Sequence, residues 1–155
     1  MTRRGLDNRV PPPVVFLATA LAMGGAAALL PPSGLAGRWS LAAATLLLAL
    51  AGLAAPLAFR RFRRAGTTID PVAIERASVL VTDGVYGWSR NPMYLSLAAL
   101  LGSLAVFTAQ PWLLLGPAAF VLYISRFQIV PEERLLRQRF GAAYDEYCAR
   151  VRRWL

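Results

Sequence analysis

The sequence predicts an all-α, membrane-integral helical bundle, and three observations carry that prediction. Hydrophobic residues make up 57% of the 155-residue chain and charged residues only 16%, far more apolar than an ordinary water-soluble domain. The apolar residues gather into four long runs separated by breaks rich in proline, glycine or arginine. All 17 basic residues are arginine, and they collect near the ends of those runs. The length suits a single domain over residues 1–155.

The runs are residues 14–30, 41–59, 93–109 and 112–130. The first stops at Pro31-Pro32, the second in "RRFRR", the third at Gln110-Pro111 and the fourth at Pro131. At a rise of about 1.5 Å per residue each reaches roughly 25–28 Å, close to the hydrocarbon thickness of about 30 Å. About four transmembrane helices are therefore expected. The first run follows "TRRGLDNR", which has the charge of a signal-peptide n-region. It is longer than a usual signal core, however, and three further runs need a membrane in any case.

Arginine placement predicts the orientation. Arg3, Arg4 and Arg9 precede the first run, and Arg38 alone separates the first from the second. Arg60, Arg61, Arg63, Arg64, Arg76 and Arg90 lie between the second and third, and none lies between the third and fourth. Arg126 comes near the end of the fourth, with six more after it. The positive-inside rule then puts both termini and the 60–92 connection in the cytoplasm, with the chain expected in the inner membrane. All the acidic residues fall on that same side.

Composition also narrows the chemistry. The chain has no histidine and hence no imidazole base. A single cysteine, Cys148, rules out an internal disulfide and a cysteine-rich metal site, so no metal is expected. The net charge of +9 sits at membrane flanks and is not interleaved with stacking aromatics in a polar domain. It points to anionic membrane lipid as the partner, not to nucleic acid.

Two segments on the arginine-rich side carry detail. In the 60–92 connection, "RRFRRAG" reads as a stop-transfer anchor, and "TTIDPVAIERASVLVTDG" mixes turn signals with short β-branched stretches expected to lie against the bundle. The tail 131–155 reads as one amphipathic helix. Pro131 suits its first turn, and Glu132 and Glu133 suit its positive end as caps. Leu136, Phe140, Tyr144, Tyr147 and Val151 form its apolar stripe.

Between them stands "GVYGWSRNPMYL", residues 84–95. Gly84 and Gly87 permit turns around Tyr86, and Asn91-Pro92 starts a helix. Trp, Tyr and Arg are common interfacial anchors. The same residues also suit a polar-ligand site built from an arginine, two tyrosines and the free N–H groups of a helix start. The third and fourth runs are antiparallel, so residue 131 returns beside residue 92 and brings Glu132 or Glu133 to that site.

Taken in order, "LVTDGVYGWSRNPMYL", a hydrophobic hairpin and "PEERLLRQRFGAAYDEY" resemble the isoprenylcysteine carboxyl methyltransferase family. That family belongs to a wider group of integral-membrane methyltransferases that includes phospholipid N-methyltransferases. Its hallmark is Arg-His-Pro-x-Tyr, a hairpin, a Glu-Glu pair and Phe-Gly-x-x-Tyr-x-x-Tyr. The resemblance covers roughly residues 65–153.

It implies an S-adenosylmethionine-dependent methyltransferase that releases S-adenosylhomocysteine and acts on a lipid-like or small amphiphilic substrate. Cofactor contacts carried over by motif fall on Ser78, Val79, Leu80, Val81, Tyr86, Asn91, Pro92, Met93, Tyr94 and Glu132. Arg90 is the candidate for placing an anionic group in catalysis. The acceptor side falls on Gln128, with Arg126 nearby. Two positions depart from the pattern: Asn91 stands where the family has histidine, and Gln128 stands where isoprenylcysteine enzymes have a substrate-carboxylate arginine. The rival expectations are a non-enzymatic anchor that binds anionic lipid through its arginines, and a small transporter subunit. The absence of ionisable residues from the first three runs weighs against the transporter.

Overall fold

The computed structural model describes residues 9–31, 33–64 and 79–155. Among them are six α-helices and no strand: α1 Pro12–Leu29, α2 Arg38–Arg64, α3 Pro92–Thr108, α4 Leu115–Ile124, α5 Val130–Phe140 and α6 Ala142–Arg150. Short 3₁₀ turns occupy Gly84–Gly87 and Pro111–Leu114. The protein is a membrane helical bundle. Three apolar stretches are long enough to cross a bilayer, Pro12–Leu29, Arg38–Arg61 and Pro111–Phe140, and Pro92–Thr108 is a shorter apolar helix. Leu21, Leu29, Leu115 and Leu122 all point outward, a leucine surface suited to lipid.

α3 is the centre of the bundle. Along one side it packs extensively against α2. Ala44, Ala51 and Ala58, buried and seven residues apart, present a narrow seam that lets the two backbones approach. On the other side Leu101 and Ala105 of α3 meet Met23 of α1 and Phe120 and Ile124 of α4 in one core. Gly116 of α4 lies so close to the Met23 side chain that a β-carbon there would collide with it.

The turn between α3 and α4 is tight, as Gln110-Pro111 suggests. Ala109 takes a left-handed conformation (φ 51°), and its carbonyl accepts a hydrogen bond from Ser33 Oγ.

Two expectations need correction. Pro131 does not end the fourth run. α4 passes through a π-helical turn, Ser125–Ile129, directly into α5. A proline lacks the N–H for an i→i−4 bond and crowds the preceding turn, and one extra residue per turn relieves both problems. Because α5 is a continuation and not a new helix, its acidic pair makes no capping hydrogen bond.

The tail is also two helices and not one. Gly141 (φ 51°, ψ −126°) breaks it in a conformation that disfavours residues with a side chain. The apolar stripe survives the break: Tyr144, Tyr147 and Val151 are buried against Leu80, Leu136 and Phe140. It therefore packs on the protein itself. Ser78 and the stretch 65–78, with Arg76, lie outside the described residues, as do Arg3 and Arg4.

Candidate active-site cavity

A cavity of about 690 Å³ opens at the arginine-rich end of the bundle. Its size falls within the usual range for small-molecule sites, about 300–1,000 Å³. α3 supplies its floor through Pro92, Met93, Tyr94, Ser96, Leu97 and Leu100. Ala51, Gly52, Ala55 and Pro56 of α2 form one wall, with Pro12 and Pro13 of α1 nearby. These small residues leave open volume where larger side chains would fill it. Glu132, Glu133 and Leu136 of α5 and Tyr144 and Tyr147 of α6 close the polar end.

Val79, Leu80, Val81, Tyr86, Arg90, Asn91, Pro92, Met93, Tyr94 and Glu132, all singled out from sequence, line this one space. Gln128 and Arg126 do not. Gln128 is buried at 3% exposure behind Glu132, while Arg126 is exposed, with its guanidinium 5.2 Å from the Phe127 ring centroid.

The local folding explains the placement. Gly84 has φ 61°, and a β-carbon on it would sit 2.6 Å from Nε of Arg61. Arg61 also pairs with Asp83 at 2.6 Å, so the end of α2 is tied to the turn that presents Tyr86. Tyr86 is buried, and its carbonyl accepts a 2.7 Å hydrogen bond from the Tyr147 hydroxyl. Burial pushes the Tyr86, Tyr144 and Tyr147 phenols up from their ordinary values. They are therefore hydrogen-bonding hydroxyls and poor sources of a phenolate base.

The two adjacent glutamates have different partners. Glu132 Oε1 accepts hydrogen bonds from the Tyr94 hydroxyl and from Gln128 Nε2, both at 2.7 Å. No ion pair falls on it among the described residues. Glu133 is held by Arg153 through two bonds of 2.9 and 2.7 Å and by Arg90 at 3.2 Å. Arg90 further contacts Cys148 Sγ through Nη1.

The residues just ahead of α3 are tied down by the end of the chain. The Arg90 N–H donates to the Arg152 carbonyl at 3.0 Å, and the Asn91 side-chain amide donates to the Arg153 carbonyl at 2.9 Å. The Asn91 N–H donates to Ser89 Oγ at 3.1 Å. Trp154 Nε1 then donates to Ser125 Oγ at 3.1 Å and fastens this strap to the π turn. Sequence reasoning missed Arg153 and Trp154, which belong to no periodic pattern. It also missed the small residues of α2, whose only signal was a local excess of alanine and glycine.

The sequence profile of phospholipid methyltransferases matches residues 39–143, which include α2 from its second residue, α3, α4, α5 and most of the cavity. The chain belongs to the phospholipid methyltransferase family. Among related proteins, an uncharacterized protein of Haemophilus influenzae is 41% identical over 63 residues, 41% of this chain and the whole of that one. A rice protein (Oryza sativa subsp. indica) named "Probable protein-S-isoprenylcysteine O-methyltransferase" is 34% identical over 91 residues, 57% of this chain. Its subsp. japonica counterpart matches equally. This phospholipid methyltransferase family member spans 46% of the length of those rice proteins. No solved structure matches it.

Proposed function

We propose that the chain is an S-adenosylmethionine-dependent methyltransferase acting on a lipid-like or small amphiphilic acceptor at the cytoplasmic face of the inner membrane. One observation carries the reading. Glu132, a carboxylate without an ion-pair partner among the described residues, faces a largely apolar cavity set among membrane-spanning helices. Such a group favours a cation, because a buried carboxylate without a counter-charge is unfavourable.

The donor set fits the cofactor. Glu132 suits its amino group, Tyr86 and Tyr94 suit its ring or ribose, and the backbone of Val79, Leu80 and Val81 offers polar edges with Ser78 before them. Asn91, Pro92 and Met93 shape the floor beneath. When bound, the cofactor supplies an electrophilic methyl group; the protein contributes alignment and exclusion of water. The apolar walls from α2 and α3 exclude water and accept a hydrocarbon chain. Arg90, already neutralised by Glu133, orients that carboxylate and the loop around it, and stands at the mouth where an anionic group would pass. With no histidine in the chain, any proton leaving the acceptor would go to a carboxylate or to water.

Calorimetry on the detergent-purified chain with S-adenosylmethionine and S-adenosylhomocysteine tests the reading. Binding of both is expected, and the lipid-anchor alternative predicts neither. Orientation is tested by labelling introduced cysteines in a Cys148→Ser background. Residue 34 should react from the periplasm and residue 145 should not; the reverse pattern would overturn the cytoplasmic placement of the site.

A further inference from the structure

We infer that the main-chain carbonyl of Gly52 is a contact for the methyl acceptor: left without its helical partner by Pro56, it takes a hydrogen bond from an O–H or N–H on the acceptor's head group. This role rests on the proposed reading of the cavity as a methyltransferase site and leaves Glu132 to the cofactor.

In an α-helix the carbonyl of residue 52 would accept from the N–H of residue 56. That residue is Pro56, inside α2, and proline has no N–H to give. Its ring also crowds the same carbonyl. Gly52 and Pro56 both line the cavity and both are exposed, so the gap in the helical ladder opens on that side. Glycine adds no side chain to cover the gap, and a β-carbon on Gly52 would meet nothing within 4 Å.

The gap also lies at a telling depth. A β-carbon on Gly102 would touch Leu47, and Ala58 packs with Met93. The antiparallel register between these contacts sets Gly52 near the level of Leu97 and Pro56 near that of Tyr94. Helix carbonyls point toward the C-terminal end, so this one is aimed at the arginine-rich end, where Tyr94 bonds to Glu132. At about 1.5 Å per residue Gly52 lies roughly 12 Å below Arg60. An unpaired carbonyl at that depth is costly, and neighbouring hydroxyls commonly satisfy it. The hydroxyl at that level on α3, Ser96, donates instead to the Pro92 carbonyl at 2.9 Å. The Tyr94 and Tyr147 hydroxyls donate to Glu132 and to the Tyr86 carbonyl. A ligand hydroxyl or amine would fill the vacancy. The carbonyl would orient that group and take no proton from it.

The test uses the full chain in detergent and two pairs of amphiphiles matched in charge and chain. Dodecanol and dodecyl methyl ether differ in an O–H; dodecylamine and dodecyltrimethylammonium differ in N–H groups. Binding is followed by calorimetry beside a thermal unfolding curve. The parent is expected to prefer the donor-bearing member of at least one pair by about fivefold, the scale of one hydrogen bond. The pair that shows the preference identifies the donor as hydroxyl or amine.

Pro56→Ala restores the missing N–H. It should unfold no earlier than the parent and bring the two members of the pair within about twofold. Gly52→Val, which covers the carbonyl from open space, should narrow the preference in the same way and decides the matter if the alanine variant does not fold. A proline that serves only to shape α2 would weaken both members alike and leave their ratio unchanged. An unchanged ratio in Pro56→Ala, or a parent without preference in either pair, would overturn the inference. S-adenosylhomocysteine is titrated into the same parent samples. If it fails to bind while the donor preference persists, the methyltransferase reading falls and the role of the Gly52 carbonyl in ligand binding stands.

Discussion

On one side of α5, Glu133 is held by two guanidiniums and joined through Arg153 to the strap that crosses the start of α3. On the other, Glu132 is held, among the described residues, by a phenol and an amide, with the cavity in front of it. The residues are neighbours in sequence and chemically identical, so the difference lies in their partners. A carboxylate whose charge is neutralised stabilises architecture; one that is oriented but not neutralised can act on a ligand.

The largest effect that would break this comparison belongs to Glu133. Glu133→Gln would leave Arg90, only 13% exposed, without a counter-charge. We expect a loss of about 3 kcal/mol of stability, the lower end for breaking a buried pair, seen as a lower unfolding temperature. Unchanged unfolding would show that the pair is not structural.

Glu132→Gln should do the opposite. Unfolding should hold, while affinity for S-adenosylmethionine falls by about 1.5–3 kcal/mol, roughly ten- to a hundredfold. Normal binding, or a loss explained by unfolding, would remove Glu132 from the ligand contacts. The smallest effect is expected from Tyr94→Phe, which leaves the Gln128 bond in place. It should weaken binding by about 1 kcal/mol, and a loss as large as that of Glu132→Gln would mean that the hydroxyl itself touches ligand.

The contrast between the glutamates also marks what was legible in the sequence. The four apolar runs, the helix start at Asn91-Pro92 and the meeting of residues 94 and 132 follow from local composition and from the antiparallel hairpin. Glu133 was misread as a helix cap because Pro131 signals a helix start. That signal is overridden when a π turn absorbs the proline inside a continuous rod, and whether it does depends on packing around Ile124 and Ile129, not on local sequence. The strap was invisible for another reason. Its partners are separated by 20 to 64 positions, and it is made of single polar contacts without periodicity. The small residues of α2 showed in the sequence only as a local excess of alanine and glycine, and that some of them border a void depends on where α1 and α3 stand.

The π turn also fixes the angular setting of everything beyond it. One residue of an α-helix corresponds to about 100° of rotation and about 1.5 Å of advance. If residues 125–129 kept their number but wound as ordinary α-helix, the surplus residue would turn α5 by about that angle relative to α4. The glutamate pair would then swing together: Glu132 would leave the cavity and Glu133 would leave Arg90. The aim of the site is therefore geared to one surplus residue being held inside the π turn.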